Sequence, residues 1–575
     1  FIAICSFLPL YLAPASVAEI VKPLFVVLAV SLGLSWILAL CQTTTFGNFI
    51  LKEAVPGGAM KDPYDTKLYH RFEKFLTLLI KRRFVTLTTV FVTLVLSLVI
   101  MAVMPQSFFP KMNKPYFRAD LVFPEGFSIH AVDQDVMKVE DYLKNHEKVK
   151  SYSVTLGGTP LRYYLASSSF GPKSNYANVM VETKDPEDAA EVEQQFYEHM
   201  TQNFPNIITR SALFALSPVP EAAIEIGFIG ENPDTLTALV ERAKKIARQC
   251  DMVTDIRSNW GDKVPVWKPM FSQQKGLRLG ITRQQVANSF RTATNGLPLG
   301  EYREGDVSLP ILLKDEDVEK MNLNDVKSVP VFSTKGNSVK VEQVIDNFAL
   351  GYDYNVVRRF NRERCMMMQC EPKRGANTMA AFKQVLTAVQ EQMQLPEGYK
   401  MKYFGEQETQ DVSNAALAKN IPLTFLLIYV VLLFLFPSNY RKPVLIMLML
   451  PLVFIGVVWG LLLFGKSLDF FAILGLLGLI GMNIKNAIVL VDEIGLQLKD
   501  GKGAVPAVVE ATKTRIVPVT MASGTTILGM LPLLGDAMFA GMAATIMGGL
   551  FVSTVLTIFV LPVTYCIFFK IRADR

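Results

Sequence analysis

A lysine within an apolar run is the residue in this sequence best placed to do chemistry. Lys485 lies in GLIGMNIKNAIVLVDE (478–493), about six residues inside a segment long enough to cross a bilayer. A charge at that depth costs several kcal/mol unless it is paired or lines a polar cavity. Asn483 and Asn486 add polarity on the same turn. The chemistry this allows is an ion or proton relay, with Lys485 facing a carboxylate on another helix. The plainer alternatives are a snorkelling lysine, which the depth disfavours, or a structural ion pair. No carboxylate lies within the apolar runs: Asp492 and Glu493 mark one end of this segment and Asp469 the other. The relay reading therefore expects the partner in sequence outside this chain or in a second chain.

Arg515 opens the next apolar run after a basic loop (Lys499, Lys502, Lys513). It reads either as an anchor at the membrane surface or as the flank of a proton access path. Thr520, Ser523, Thr525 and Thr526 follow at helical spacing. Such hydroxyls suit a hydrated path between helices or ordinary helix packing. Further along, Cys365-Met366-Met367-Met368-Gln369-Cys370 offers sulfur ligands of the kind that suit Cu(I). Alternation along a strand sends Cys365 and Cys370 to opposite faces, so a half-buried strand explains the run equally well. Tyr163, Tyr164 and Phe170 sit in a Ser/Gly/Pro-containing loop just before the strand that holds Met180. They read as an apolar binding pocket or as a loop packing its own aromatics. No His pair, Ser-His-Asp set or nucleotide-binding glycine loop has supporting context, so no metal site, cofactor or hydrolysis is assigned.

These residues need elements to position them. The chain has 575 residues, 50% hydrophobic and 19% charged, with mean hydropathy +0.29. That balance fits membrane spans alternating with a large water-exposed domain. The net charge of +6 gives no reason to expect nucleic acid. Six scattered cysteines make neither a disulfide framework nor a zinc ribbon. Crossing ~30 Å of hydrocarbon takes about 20 apolar residues. Seven runs qualify, at roughly 22–41, 84–104, 417–436, 443–464, 469–491, 515–534 and 541–569, and 1–16 is a partial eighth. Residues 105–416 between them have ordinary mixed composition. Lys and Arg concentrate in alternate loops, which predicts the large domain on the non-cytoplasmic side. The segment 63–83 is amphipathic, with Leu68, Phe72, Phe75, Leu76 and Leu79 on one face. It is expected on the cytoplasmic membrane surface, with a soluble linker helix as the alternative.

Within the exposed region, Phe117–Phe123, Asn178–Glu182 and Ala222–Ile229 alternate like strands. His130–Asn145, Ala189–Asn203, Thr235–Gln249 and Thr378–Met393 have helical spacing. The rhythm predicts α+β sandwiches of ferredoxin-like type, with a turn-rich insertion at 266–358. Residues 1–50 also align with 524–573, Leu8-Pro9-Leu10 falling on Leu531-Pro532-Leu533. A duplicated membrane half is typical of secondary transporters. With Phe1 first and one copy incomplete, the chain is expected to be a fragment of a longer polypeptide.

Together these features resemble the resistance-nodulation-division transporters, in their hydrophobe/amphiphile efflux class. MPQSFFPKMNKPYFRADLVFPEG (104–126) resembles the approach to the family's second periplasmic domain. LGIT (279–282) and NGLPLGEYREGDVSLPILL (295–313) resemble its docking region, and GMNIKNAIVLVDE its tenth helix. The match runs from the fifth of twelve helices to the last. The resemblance implies a polytopic α-helical membrane protein with a large α+β periplasmic domain. Residues 1–104 would carry helices five to seven and 417–575 helices eight to twelve. Porter subdomains fall at 105–220 and at 221–265 with 359–416, and a docking subdomain at 266–358.

The implied function is efflux of hydrophobic or amphiphilic small molecules, driven by the proton gradient and not by an enzyme reaction. The protein would act in the bacterial inner membrane as a homotrimer with a periplasmic adaptor and an outer-membrane channel. The family's relay lysine falls on Lys485 and its eleventh-helix arginine on Arg515, with Asn486, Thr520 and Thr525 beside them. Of the candidate substrate residues only Met180 falls on a family pocket position, while Tyr163, Tyr164 and Phe170 come later than the family's pocket loop. The family's relay threonine falls on Ala522, its phenylalanine-rich loop on Gly157–Pro160, and its aspartate pair outside this chain. A copper or silver exporter of the same fold and a non-transporting membrane scaffold are the competing readings.

Overall fold

Long apolar segments can satisfy their backbone polar groups in lipid only as helices, and that rule shapes both ends of the chain. The computed structural model describes residues 1–12, 16–50, 64, 66–106, 113–161, 172–214, 221–315, 325–333, 336–437 and 439–571. Two short helices, α1 (Ile2–Ser6) and α2 (Leu8–Leu12), precede α3 (Ser16–Ile50). Then come α4 (Lys67–Lys81) and α5 (Arg83–Val103). In α4 the apolar stripe divides. Phe72, Leu76 and Ile80 are buried, whereas Leu68 and Phe75 stay exposed.

The first lobe of the exposed region runs β1 (Tyr116–Val122), α6 (Ile129–Lys144), β2 (Val149–Leu156), β3 (Tyr176–Thr183), α7 (Ala189–Asn203) and β4 (Ile208–Leu213). Its antiparallel sheet has the order β2-β3-β1-β4. Period-2 alternation puts Phe117, Ala119, Leu121, Val179 and Val181 on one face, where they bury against Val132 and Val136 of α6 and Phe196 and Met200 of α7. The second lobe opens with β5 (Ile224–Ile229), α8 (Pro233–Ala247) and β6 (Val253–Ser258).

The chain then forms a separate compact unit, Trp260–Arg358. It holds β7 (Lys263–Phe271), α9 (Gln273–Leu279), α10 (Arg283–Thr292), β8 (Leu297–Glu304), β9 (Val307–Leu313), β10 (Pro330–Phe332), β11 (Ser338–Lys340) and β12 (Ile345–Tyr354). Strand β7 pairs with β12 from Lys263↔Tyr354 onward, so this unit begins ahead of the turn-rich composition that marks it in sequence. Helix α10 starts at a capping box in which Thr282 and Gln285 satisfy each other's backbone N–H. The β8–β9 hairpin exposes every residue of Val307–Leu313.

The second lobe resumes with β13 (Arg359–Phe360), β14 (Glu363–Pro372), α11 (Thr378–Gln392) and β15 (Lys400–Gly405). Strand β14 lies between β6 and β5, and β15 flanks β5 on its other side. Polar contacts join the two lobes. Arg374 donates to both Glu193 oxygens, at 2.8 and 2.6 Å, and stacks 4.2 Å from the Tyr197 ring centroid. Arg210 Nε donates to Asp255 at 3.0 Å.

Strand β15 passes without a loop into α12 (Glu406–Leu435), through Gly405. Gly405 has φ +83°, and a Cβ there would lie 2.8 Å from the Ala223 carbonyl oxygen, so only glycine fits. After α12 come α13 (Arg441–Leu448), α14 (Val453–Leu463), α15 (Phe470–Lys499), α16 (Ala504–Met530) and α17 (Ala540–Phe568). A tight helical turn around Pro451 divides α13 from α14, which the hydropathy pattern reads as one span. Among the described residues, seven helical stretches are long and apolar enough to cross a membrane. The aligned Leu-Pro-Leu triplets occupy corresponding places. One lies in α2 ahead of α3, and the other in the short turn 531–535 ahead of α17.

Helix α14 crosses α17 at almost backbone contact. Gly456 and Gly460 form a small-xxx-small pair, and they meet Gly548 and Gly549 of α17. A Cβ on Gly548 would lie 2.4 Å from the Gly460 Cα.

Candidate functional site in the helical bundle

Consecutive residues on a helix point about 100° apart, so neighbours with similar chemistry can face different partners. Asn483 and Asn486 are buried in the bundle, whereas Lys485 is exposed on its flank. One turn before it, Gly481 lies against Ala3 of α1. Lys485 makes no ion pair among the described residues. Asn486 Nδ2 donates to Ser523 Oγ of α16 at 3.3 Å. Thr554 Oγ1 of α17 lies 2.6 Å from Ser523 Oγ and 2.6 Å from the Leu550 carbonyl oxygen. A carbonyl can only accept, so the single Thr554 proton goes there and Ser523 donates to Thr554. The chain of hydrogen bonds ends at a main-chain carbonyl. It ties three helices together.

Arg515 finds a carboxylate. Its Nε and Nη2 donate to Glu493 Oε2 at 3.0 and 2.5 Å, and Gln497 donates to Glu493 Oε1 at 2.8 Å. Seven residues separate Asn486 from Glu493 on α15 and eight separate Arg515 from Ser523 on α16. The two polar crosslinks thus stand about 10–12 Å apart along an antiparallel pair. Thr520 and Thr525 do not join them. Both are exposed, and their hydroxyls return to carbonyls of their own helix, Thr520 to Ile516 at 2.7 Å and Thr525 to Ala522 at 3.0 Å. Ser523, from the same hydroxyl-rich turn, takes the buried position instead. Thr554 and Glu493 are the further members that sequence reasoning did not place in the site. Their signal was polarity in otherwise apolar helices.

In the exposed region Met180 is half-buried on β3, in register with Arg118 on one side and Ser153 on the other. Tyr163, Tyr164 and Phe170 lie outside the described residues. Met180 shares its sheet face with Tyr176 and Asn178, both of which donate to Asp120 Oδ1, at 2.6 and 2.7 Å. Its cross-strand partners, Arg118 and Ser153, are both polar. Cys365 and Cys370 are buried on opposite faces of β14, and burial pushes their thiols up to about 11 and about 12. On opposite faces of the strand the two thiols cannot share one ion.

Glu225 behaves differently from the surface carboxylates. It is buried on β5, accepting from Gln369 Nε2 at 2.8 Å and from the Ala222 amide at 3.2 Å. Burial pushes its carboxyl up to about 7. A carboxyl raised in the folded state stabilises most below its unfolded value of 4.5. That stability is lost as pH climbs through about 7. Glu225→Gln keeps the accepting oxygen and removes the charge. The variant is expected to flatten the fall in melting temperature between pH 5 and 8 and to gain about 3 kcal/mol at the alkaline end. Melting curves of the intact protein across that range test this, and an unchanged pH slope would refute it.

A model of the AcrB/AcrD/AcrF family matches residues 1–569. The chain belongs to this family of resistance-nodulation-division transporters. Among the proteins it is similar to is the nickel and cobalt resistance protein CnrA of Cupriavidus metallidurans, 27% identical over 61% of this chain and 33% of that protein. The swarming motility protein SwrC of Bacillus subtilis is 22% identical over 100% of this chain and 54% of its own length. The multidrug export protein AcrF of Escherichia coli is 24% identical over 81% and 46%. The chain spans about half the length, or less, of the curated relatives it matches. A crystal structure of a heavy metal efflux pump shares the fold, with TM-score 0.78 and 17% identity across 99% of this chain and 58% of that one.

Proposed function

We propose that this chain belongs to a proton-driven exporter of hydrophobic or amphiphilic small molecules, working in a bacterial inner membrane with its large domain in the periplasm. The observation that carries the reading is Lys485, a cation within a membrane helix that turns outward from a satisfied polar cluster. Such a residue is costly unless something outside the described bundle pairs with it. An aspartate-bearing helix is the partner the family resemblance supplies. Lys485 then holds or releases its proton according to that carboxylate's charge. Asn486, Ser523 and Thr554 fix the helix that carries it, and the Glu493 pair holds Arg515. The first lobe, through Met180 and the segment bearing Tyr163, Tyr164 and Phe170, would meet the cargo. Residues 105–220 and 221–265 with 359–416 are read as porter subdomains and 266–358 as a docking subdomain. The β8–β9 hairpin, with Leu309, Ile311 and Leu313 exposed, suits assembly into a homotrimer. That trimer would hand cargo to a periplasmic adaptor and an outer-membrane channel.

Metal export is the second reading, favoured by relatives named for nickel, cobalt, zinc and cadmium resistance. Against it stands the placement of Cys365 and Cys370 on opposite faces of β14. Among the described residues no three His, Cys, Asp or Glu side chains cluster to hold a metal ion. An efflux-deficient strain expressing the full gene, challenged with dyes, bile salts, Ni²⁺, Co²⁺, Zn²⁺, Cd²⁺ and Cu⁺, separates the readings. Amphiphile efflux that collapses with an uncoupler is expected. Tolerance confined to the metals would overturn the amphiphile reading.

A further inference from the structure

The outer face of α4 has no role in the transport reading. The helix packs inward through Phe72, Leu76 and Ile80, with the Phe72 and Phe75 ring centroids 5.6 and 5.4 Å from that of Phe559 on α17. On the opposite side Lys67, Arg71, Lys74 and Lys81 fall at intervals of four, three and seven residues. That spacing sets them on one helical stripe. All four are exposed, and none makes an ion pair among the described residues. Glu73 is the sole acidic side chain of the helix. Four like charges on one stripe repel one another unless anions lie between them.

A third face points to which anion. Leu68 and Phe75 are 71% and 50% exposed, and the apolar shoulder continues on α5 through Phe84 and Val85 at 70% and 62%. Water alone would leave this shoulder uncovered. Since α5 is itself a candidate span from Arg83 onward, the shoulder faces the acyl boundary and the cationic stripe stands at phosphate level. A shallow open groove runs along the stripe, lined by His70, Glu73, Lys74, Thr77, Leu78 and Lys81.

We propose that the outer face of α4 is a docking surface for anionic phospholipid, its head-group phosphates held among Lys67, Arg71, Lys74 and Lys81. Zwitterionic lipid offers the same phosphate with a compensating ammonium and binds less. Each cation near an anionic surface contributes roughly a fivefold preference, so the stripe as a whole should exceed tenfold. The test is native mass spectrometry of the purified full chain in detergent, given equimolar phosphatidylglycerol and phosphatidylcholine.

The expected result is at least a tenfold preference for phosphatidylglycerol. It should be lost in the K67Q/R71Q/K74Q/K81Q variant and kept in K67R/K74R/K81R. A control with four exposed lysines neutralised in the lobes, K144Q/K184Q/K245Q/K383Q, should keep it too. Equal uptake of the two lipids overturns the proposal, as does an undiminished preference in the glutamine variant or an equal loss in the control. Displacement by inorganic phosphate would show an anion site rather than a lipid surface, and overturns it as well. The readout needs no transport, so its failure leaves the exporter reading standing.

Discussion

Lys485→Ala should lower uncoupler-sensitive efflux by at least about a hundredfold, the scale of a lost proton-transfer group. The amount of folded protein should stay at the wild-type level or rise. The two halves of that expectation come from one observation. Lys485 leaves the bundle surface at mid-helix without an ion-pair partner among the described residues, while Asn483 and Asn486 beside it are buried. Replacing a membrane-centre lysine removes an insertion cost of about 2.5–3.5 kcal/mol, so a merely tolerated lysine would improve the protein when lost. A structural ion pair gives the opposite result, with folding and efflux falling together. Lys485→Arg separates a proton carrier from a fixed charge. Guanidinium stays protonated at every physiological pH, so arginine should fail like alanine if the lysine must give up its proton. It should restore efflux if only the charge matters. Initial efflux rates of a fluorescent amphiphile, normalised to membrane-inserted protein, decide it.

The largest stability effect is expected at Gly548. Gly548→Leu should cost about 3 kcal/mol or more, the upper range for overpacking, and the variant should leave the membrane fraction as aggregate. Its Cβ would stand 2.4 Å from the Gly460 Cα and 2.7 Å from the Gly456 carbonyl oxygen. Those are backbone atoms, which cannot swing aside as a side chain can. Gly548→Ala should already lower the melting temperature of the detergent-solubilised protein. Gly524→Ala in α16 is the control, because a Cβ there meets nothing within 4 Å. Equal melting of the two alanine variants would remove the close crossing of α14 and α17 as a source of stability.

Where one periodicity dominates, residues predict this structure well. The alternation of Phe117–Phe123 and the helical spacing of Ala189–Asn203 become β1 and α7, because each buries one face against the other. Strands β2 and β4 escaped notice. Ser151, Ser153 and Ser211 interrupt their apolar pattern, and pairing to β3 and β1 holds them in place. Helix ends differ for a related reason. Polar turns extend α15 to Lys499 and begin α16 at Ala504, beyond the apolar runs that mark spans. In the bundle, the types and spacing of Lys485, Asn486 and Arg515 were legible. The rotation that separates Lys485 from Asn486 and the choice of Ser523 over Thr520 were not, since both depend on where neighbouring helices lie. Glu493 stands in the same motif as Lys485, yet its pairing with Arg515 needs the antiparallel register of α15 and α16.

The loopless junction at Gly405 has a mechanical meaning. Strand β15 is the edge of the second lobe's sheet, and α12 prolongs it for thirty residues, about 45 Å of rod at 1.5 Å per residue. A tilt of ~5° about the far end of such a rod displaces its near end by ~4 Å, comparable to the spacing of adjacent strands. With no loop between α12 and β15, whatever displacement is not taken up by bending at Pro422 passes to the edge of the sheet. The membrane bundle therefore has a direct lever on the second lobe.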